Sequence, residues 1–139
     1  MTFVTALMQG ASAQAALPAP VQAGLVALAE GRCDAAFVHW ARPATSPGMG
    51  TGAVQRLTDC ATLKRLGQLH GHDVLRVVAI GERIRRVYLI LRYQAQPVYV
   101  LLVAYQPYDE WHVIKTNWNV NADRVLPPDM VPPERAARP

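Results

Sequence analysis

His70, His72 and Asp73 form the tightest group of metal-ligating side chains in the sequence. Residues at i and i+2 of an extended segment project to one side, so the two imidazoles could share a zinc ion. A tetrahedral site needs further ligands, and the sequence designates none. A polar junction between a helix and a strand is the simpler reading, and no metal or other cofactor is expected. Cys33 or Cys60 with His39 offers a thiol and a base. No flanking motif supports that pairing, and Cys33 and His39 do not share a helix face cleanly.

Gly48-x-Gly50-x-Gly52 precedes an expected helix, whose N-terminus would attract anions. A phosphate loop of the Walker kind would continue with Lys and Ser or Thr, whereas Ala53-Val54 follow here. The motif reads as a connector. Ser12 and Ser46 are the serines, and neither sits in a nucleophile elbow.

Trp40, Tyr93, His112, Thr116 and Trp118 are the candidates for lining a pocket between helices and sheet. Aromatic walls with a few polar groups describe a small-molecule site. They describe an ordinary core equally well, provided the indole and imidazole N–H groups find partners. If there is a pocket, His112 is its acid or base, because imidazole titrates near neutrality. Arg86, Tyr88, Arg92, Tyr99, Tyr105 and Trp111 are expected to share the other side of the sheet. They are candidates for an interface, with a second copy of the chain or, less favoured, with nucleic acid.

The elements that must position these residues can be read from periodicity. A helix starts near Pro20 and repeats Val21, Leu25 and Leu28 at helical spacing. Gly31 interrupts it, and Asp34 caps a continuation through Phe37 and Trp40 that ends at Arg42-Pro43. After a loop, Thr51 caps a further helix carrying Val54, Leu57, Leu63 and Leu66, which Gly67 or Gly71 terminates. From His72 the period changes to two. Strands are expected over Asp73–Ile80, Ile84–Gln94, Pro97–Gln106 and Glu110–Val120, and connections this short require antiparallel neighbours.

Tyr93 is expected opposite Val98. One face then carries Val87, Leu89, Leu91, Val100, Leu102 and Ala104, and should meet the helices. A third turn with an odd number of residues adds His112, Ile114, Thr116 and Trp118 to that face, whereas an even one would put Lys115 and Asn117 there at a desolvation cost. The opposite face, with Arg76, Arg86, Tyr88, Tyr99, Leu101, Val103, Tyr105, Trp111 and Lys115, is too apolar to be wholly solvated. The proline-rich tail or a second subunit should cover part of it. The tail itself is expected to be neither helix nor central strand.

The chain divides into residues 1–19, a domain over 20–122 and a tail over 123–139. A length of 139 residues suits one domain. Fourteen basic against ten acidic residues give a net charge of +4, too mild to establish a nucleic-acid partner. No run of roughly 18 apolar residues spans a membrane. Residues 1–19 read as a signal-peptide remnant or a disordered stretch. Phe3–Met8 is apolar, and Ala11-Ser12-Ala13 suits signal-peptidase cleavage, but no basic residue precedes Arg32. Cys33 and Cys60 form one disulfide if the chain is exported, worth about 3–4 kcal/mol in the chain-entropy model, or are two buried thiols. Export places the protein in the periplasm or outside the cell; otherwise it is cytoplasmic.

Leu28-Ala29-Glu30-Gly31-Arg32-Cys33-Asp34-Ala35-Ala36, the stretch from Leu63 to Gly67, Arg86-Val87-Tyr88-Leu89, the Pro97 strand and Tyr105-Gln106-Pro107 through Trp111 carry a family resemblance. Over about residues 20–121 the chain resembles uncharacterised bacterial proteins of the nuclear-transport-factor-2-like, or cystatin-like, α+β class. The resemblance implies helices packed on a curved four-stranded antiparallel meander, often with a cavity and often dimeric. That fold hosts isomerases, dehydratases, ligand carriers and interaction modules, so it does not decide function. The expectation is a non-enzymatic domain that binds a small apolar ligand or a protein partner. The alternative is a cavity isomerase or dehydratase using His112.

Overall fold

A computed structural model describes residues 17–40 and 59–131. The apolar alternation after residue 72 and the helical spacing before it produce an α+β architecture. Two helices, α1 (Ala19–Ala29) and α2 (Cys33–His39), and a helical segment over residues 59–64 precede four strands. These are β1 (Leu69–Ile80), β2 (Ile84–Tyr93), β3 (Pro97–Tyr105) and β4 (His112–Asn119), joined as an antiparallel meander in the order β1-β2-β3-β4. The expected Gly48-x-Gly50-x-Gly52 connector, the Thr51 cap, the Arg42-Pro43 boundary and the cleavage patterns near Ala11 lie outside the described residues.

Proline in its first turn suits α1, because the missing N–H has no partner there in any helix. Val21, Leu25 and Leu28 line its buried side. The helix stops at Gly31, whose φ of 79° is left-handed and therefore costs a residue without Cβ least. Around it Gly31 N–H donates to the Leu28 carbonyl (3.0 Å) and Arg32 N–H to that of Ala27 (2.8 Å), the paired bonds of a Schellman cap. The chain turns sharply here and enters α2 at Cys33.

Val87, Leu89 and Leu91 of β2 and Val98, Val100, Leu102 and Ala104 of β3 are all buried, as their alternation requires. Leu25, Phe37, Trp40 and Leu63 cover them from the helical side. Phe37 and Trp40 meet edge to face, with ring centroids 5.7 Å apart. The Thr116 hydroxyl donates to the Trp40 carbonyl and pins the end of α2 to β4.

Three details of register depart from simple alternation. Leu91, not Tyr93, lies opposite Val98. Tyr93 stays with β1 opposite Leu69, and Gln94 and Ala95 donate to the carbonyls of Gln68 and Leu66, holding this stretch to the start of β1. The shift is two residues, so the facing of every β2 and β3 side chain is unchanged. β1 is irregular between Leu69 and His72 and again at Leu75, between Val74 and Arg76. The third departure is a bulge in β4. Lys115 lies opposite Val103 but Val113 lies opposite Ala104, leaving Ile114 unmatched.

The β4 bulge reverses the facing of everything before it. Thr116 and Trp118 stay on the helix side, opposite Leu102 and Val100. Val113 replaces His112 in the core at 1% exposure. His112 lies outside, exposed and opposite Tyr105, which corrects its expected inward position. Trp111 changes sides as well. Its ring lies 5.2 Å from the guanidinium carbon of Arg85, a residue on the helix-facing side of β2, so it is not part of the outer face.

Part of the outer face is covered by the chain itself. After β4 the tail, expected to be neither helix nor central strand, makes two short 3₁₀ turns, Ala122–Arg124 and Pro128–Met130. Between them Val125 and Leu126 bury against Tyr88, with Tyr99, Leu101 and Val78 packed around them. Arg76 and Asp129 close this seam with an ion pair at 2.9 Å. Tyr88, at 5% exposure, is therefore sealed beneath the tail rather than offered to a partner. Arg92 pairs with Asp73 at 3.4 Å.

Candidate functional site

The five side chains expected around one pocket are not brought together. Trp40 is buried at 2% exposure within the packed helices, Thr116 is bonded to its carbonyl, and His112 is on the far side of the sheet. Trp118 and Tyr93 pack against the edge of the core cluster. Of the five, Tyr93 lines a cleft whose other described neighbours are residues not expected there.

The cleft grows out of the disulfide. Cys33, the first residue of α2, is bonded to Cys60 in the helical segment 59–64, with Cα atoms 5.9 Å apart. The bridge ties the α1–α2 corner to the segment that leads into β1. Between them lies an open depression of ≈ 860 Å³. Its volume falls in the roughly 300–1,000 Å³ range of small-molecule sites. Leu28, Leu63, Leu69 and Tyr93 supply apolar lining, the two half-cystines form part of the wall, and Glu30, Arg32, Asp34, Lys64 and Gln68 supply polar groups.

The polar groups are mostly engaged. Glu30 and Arg32, held side by side by the Schellman turn, form an ion pair. Gln68 donates its backbone N–H to Gln94 Oε1 at 3.4 Å, so its side-chain amide remains a polar group of the lining. Asp34 has an interaction of its own. Lys64 has no ion-pair or hydrogen-bond partner among the described residues, and neither does the Tyr93 hydroxyl. Burial raises the Tyr93 phenol above its ordinary pKa, so it remains a neutral donor. The cleft can thus hold an apolar body and offer one ammonium and one phenol to a polar group.

Sequence reasoning reached Tyr93 and both cysteines but not Glu30, Arg32 or Lys64. The available signal was proximity to the half-cystines: Arg32 adjoins Cys33, and Lys64 lies one helical turn beyond Cys60. For His70 and His72, the register irregularity between Leu69 and His72 breaks the alternation that would have aligned them. Among the described residues no three His, Cys, Asp or Glu side chains group as metal ligands. Nor is any helix among them long and apolar enough to cross a membrane. No protein-family model, curated protein or solved structure matches the chain.

Proposed function

We propose that this chain is an exported, non-catalytic binding domain of the nuclear-transport-factor-2-like class, whose small ligand sits in the cleft beside the disulfide. Helices preceding a four-stranded antiparallel meander support the class. The Cys33–Cys60 bridge supports export to the periplasm or beyond, because such bonds persist in oxidising compartments. The observation that carries the binding role is the cleft itself. It is of ligand size, has a covalently fixed wall, and is lined by Lys64 and Tyr93, whose polar groups have no partner among the described residues. The cavity-enzyme alternative loses its acid–base residue, since His112 faces away from the helices. An interface on the outer face, with nucleic acid or a second copy, loses its central aromatic to the tail.

The test is binding of the fluorescent probe 1-anilinonaphthalene-8-sulfonate to the oxidised protein, followed by amide chemical shifts. Saturable binding that shifts residues 28–35 and 63–69, and that Ala29→Trp abolishes by filling the cleft, is the expected result. Binding that shifts other regions instead, or that Ala29→Trp leaves unchanged, removes the cleft as the site.

A further inference from the structure

The cleft's unpaired groups narrow its ligand to a chemical class. The charged lining residues are Glu30, Arg32, Asp34 and Lys64. Glu30 and Arg32 neutralise each other across the Schellman turn. Asp34 is engaged. The ammonium of Lys64 is left as the single charge without a counter-ion among the described residues. Tyr93, a half-buried residue of the same lining, carries a hydroxyl with no acceptor among the described residues. Two donors without acceptors, one of them cationic, match an anionic oxygen group. The remaining lining from Leu28, Leu63 and Leu69 offers hydrogen-bonding groups only through the backbone, and matches hydrocarbon.

We infer that the cleft binds an amphipathic molecule with one anionic head group, a carboxylate or a sulfate- or phosphate-like ester. The head meets Lys64 and the Tyr93 hydroxyl, and the hydrocarbon body lies along Leu28, Leu63 and Leu69. This rests on the cleft being a ligand site, and specifies what that site selects. A cationic amphiphile would set like charges together at Lys64, and a neutral alcohol would leave the ammonium without its counter-charge.

The experiment titrates the oxidised full chain with decanoate, decyl sulfate, decanol and decylamine, each below its micellar concentration. Affinity is read by calorimetry and location by amide shifts. Both anions should bind at the cleft about tenfold more tightly than decanol, the ratio one charge-assisted hydrogen bond supplies. Decylamine should bind more weakly still. Lys64→Met should bring the anions down to the affinity of decanol while leaving decanol itself unchanged. Lys115→Met, the same loss of charge on the opposite side of the sheet, should preserve the preference. Which anion binds more tightly separates a carboxylate from an ester ligand. If decanol or decylamine binds the wild-type cleft as tightly as the anions, the inference fails while the cleft remains a ligand site. It fails in the same way if the preference survives Lys64→Met or is lost in Lys115→Met. If none of the four shifts the cleft residues, the ligand-site reading itself falls, and this inference with it.

Discussion

The indole of Trp40 lies so close to Gly24 that a Cβ on that residue would stand 2.0 Å from Nε1. Gly24 is buried in the middle of α1, where alanine would ordinarily favour the helix by about 1 kcal/mol. Here the added methyl forces Trp40 out of place, and overpacking of this kind costs about 1–3 kcal/mol. Gly24→Ala should therefore lower the urea midpoint without changing the slope of the transition. Trp40→Phe shrinks the ring and removes a buried N–H that has no hydrogen-bond partner. In that background Gly24→Ala should cost less, and the difference between the two backgrounds measures the contact.

The bulge at Ile114 makes a prediction opposite to that of plain alternation. Val113 is buried and His112 exposed. Val113→Asp should destabilise by about 3 kcal/mol or more, since it places a carboxylate among Ala104 and its neighbours. His112→Asp should change stability by less than about 0.5 kcal/mol. If the two effects came out reversed in chemical denaturation, the β4 register would be wrong.

Removing the bridge should be felt twice. The half-cystines are 27 positions apart, a loop for which the chain-entropy model gives about 3–4 kcal/mol. The double variant Cys33→Ser, Cys60→Ser should lose that much stability in denaturant. It should also lose affinity for anilinonaphthalene sulfonate under conditions where it is still folded, because the two sides of the cleft are no longer tied. Reduction of the wild-type protein should reproduce both effects.

The tail seam is open to test from an apolar and a charged side. Leu126→Ala removes buried side chain beside Tyr88 and should cost about 2 kcal/mol. Asp129 has its carboxyl held below the ordinary range, chiefly by its hydrogen bond to Arg76 and also by that residue's charge. A carboxyl with a depressed folded pKa contributes fully above its unfolded value and loses that contribution as pH falls through the depressed one. Docking of the tail, followed by the amide shifts of Val125 and Leu126, should accordingly weaken only on acidification. In Arg76→Gln the Asp129 carboxyl should titrate at higher pH than in the wild type.

The fold was legible because its signals are local. Val87, Leu89 and Leu91 alternate within β2, and Val98, Val100 and Leu102 within β3, so side-chain facing follows from counting alone. Ile114 shows the limit of counting. A bulge belongs to the pairing of two strands and leaves no mark on the sequence of one, so His112 and Trp111 were assigned to the wrong faces. Tyr93 shows another limit. It satisfies its backbone with β1 rather than β3, a choice settled by hydrogen bonds to Leu66 and Gln68 from the residues that follow it. The cleft was the least legible part, because Glu30, Lys64 and Tyr93 come to line one depression through a disulfide and a helix cap acting together. Each of those devices is visible in the sequence, but their joint geometry is not.

The seal over Tyr88 has a consequence for the order in which the molecule can be completed. All four strands end by Asn119, yet Val125 and Leu126, which seal Tyr88, follow them in the chain. A nascent chain halted between those points presents Tyr88, Tyr99 and Leu101 as a bare greasy platform, and such surfaces invite aggregation. Premature stop codons just after Asn119 should therefore yield an insoluble product, even though they leave the strands intact.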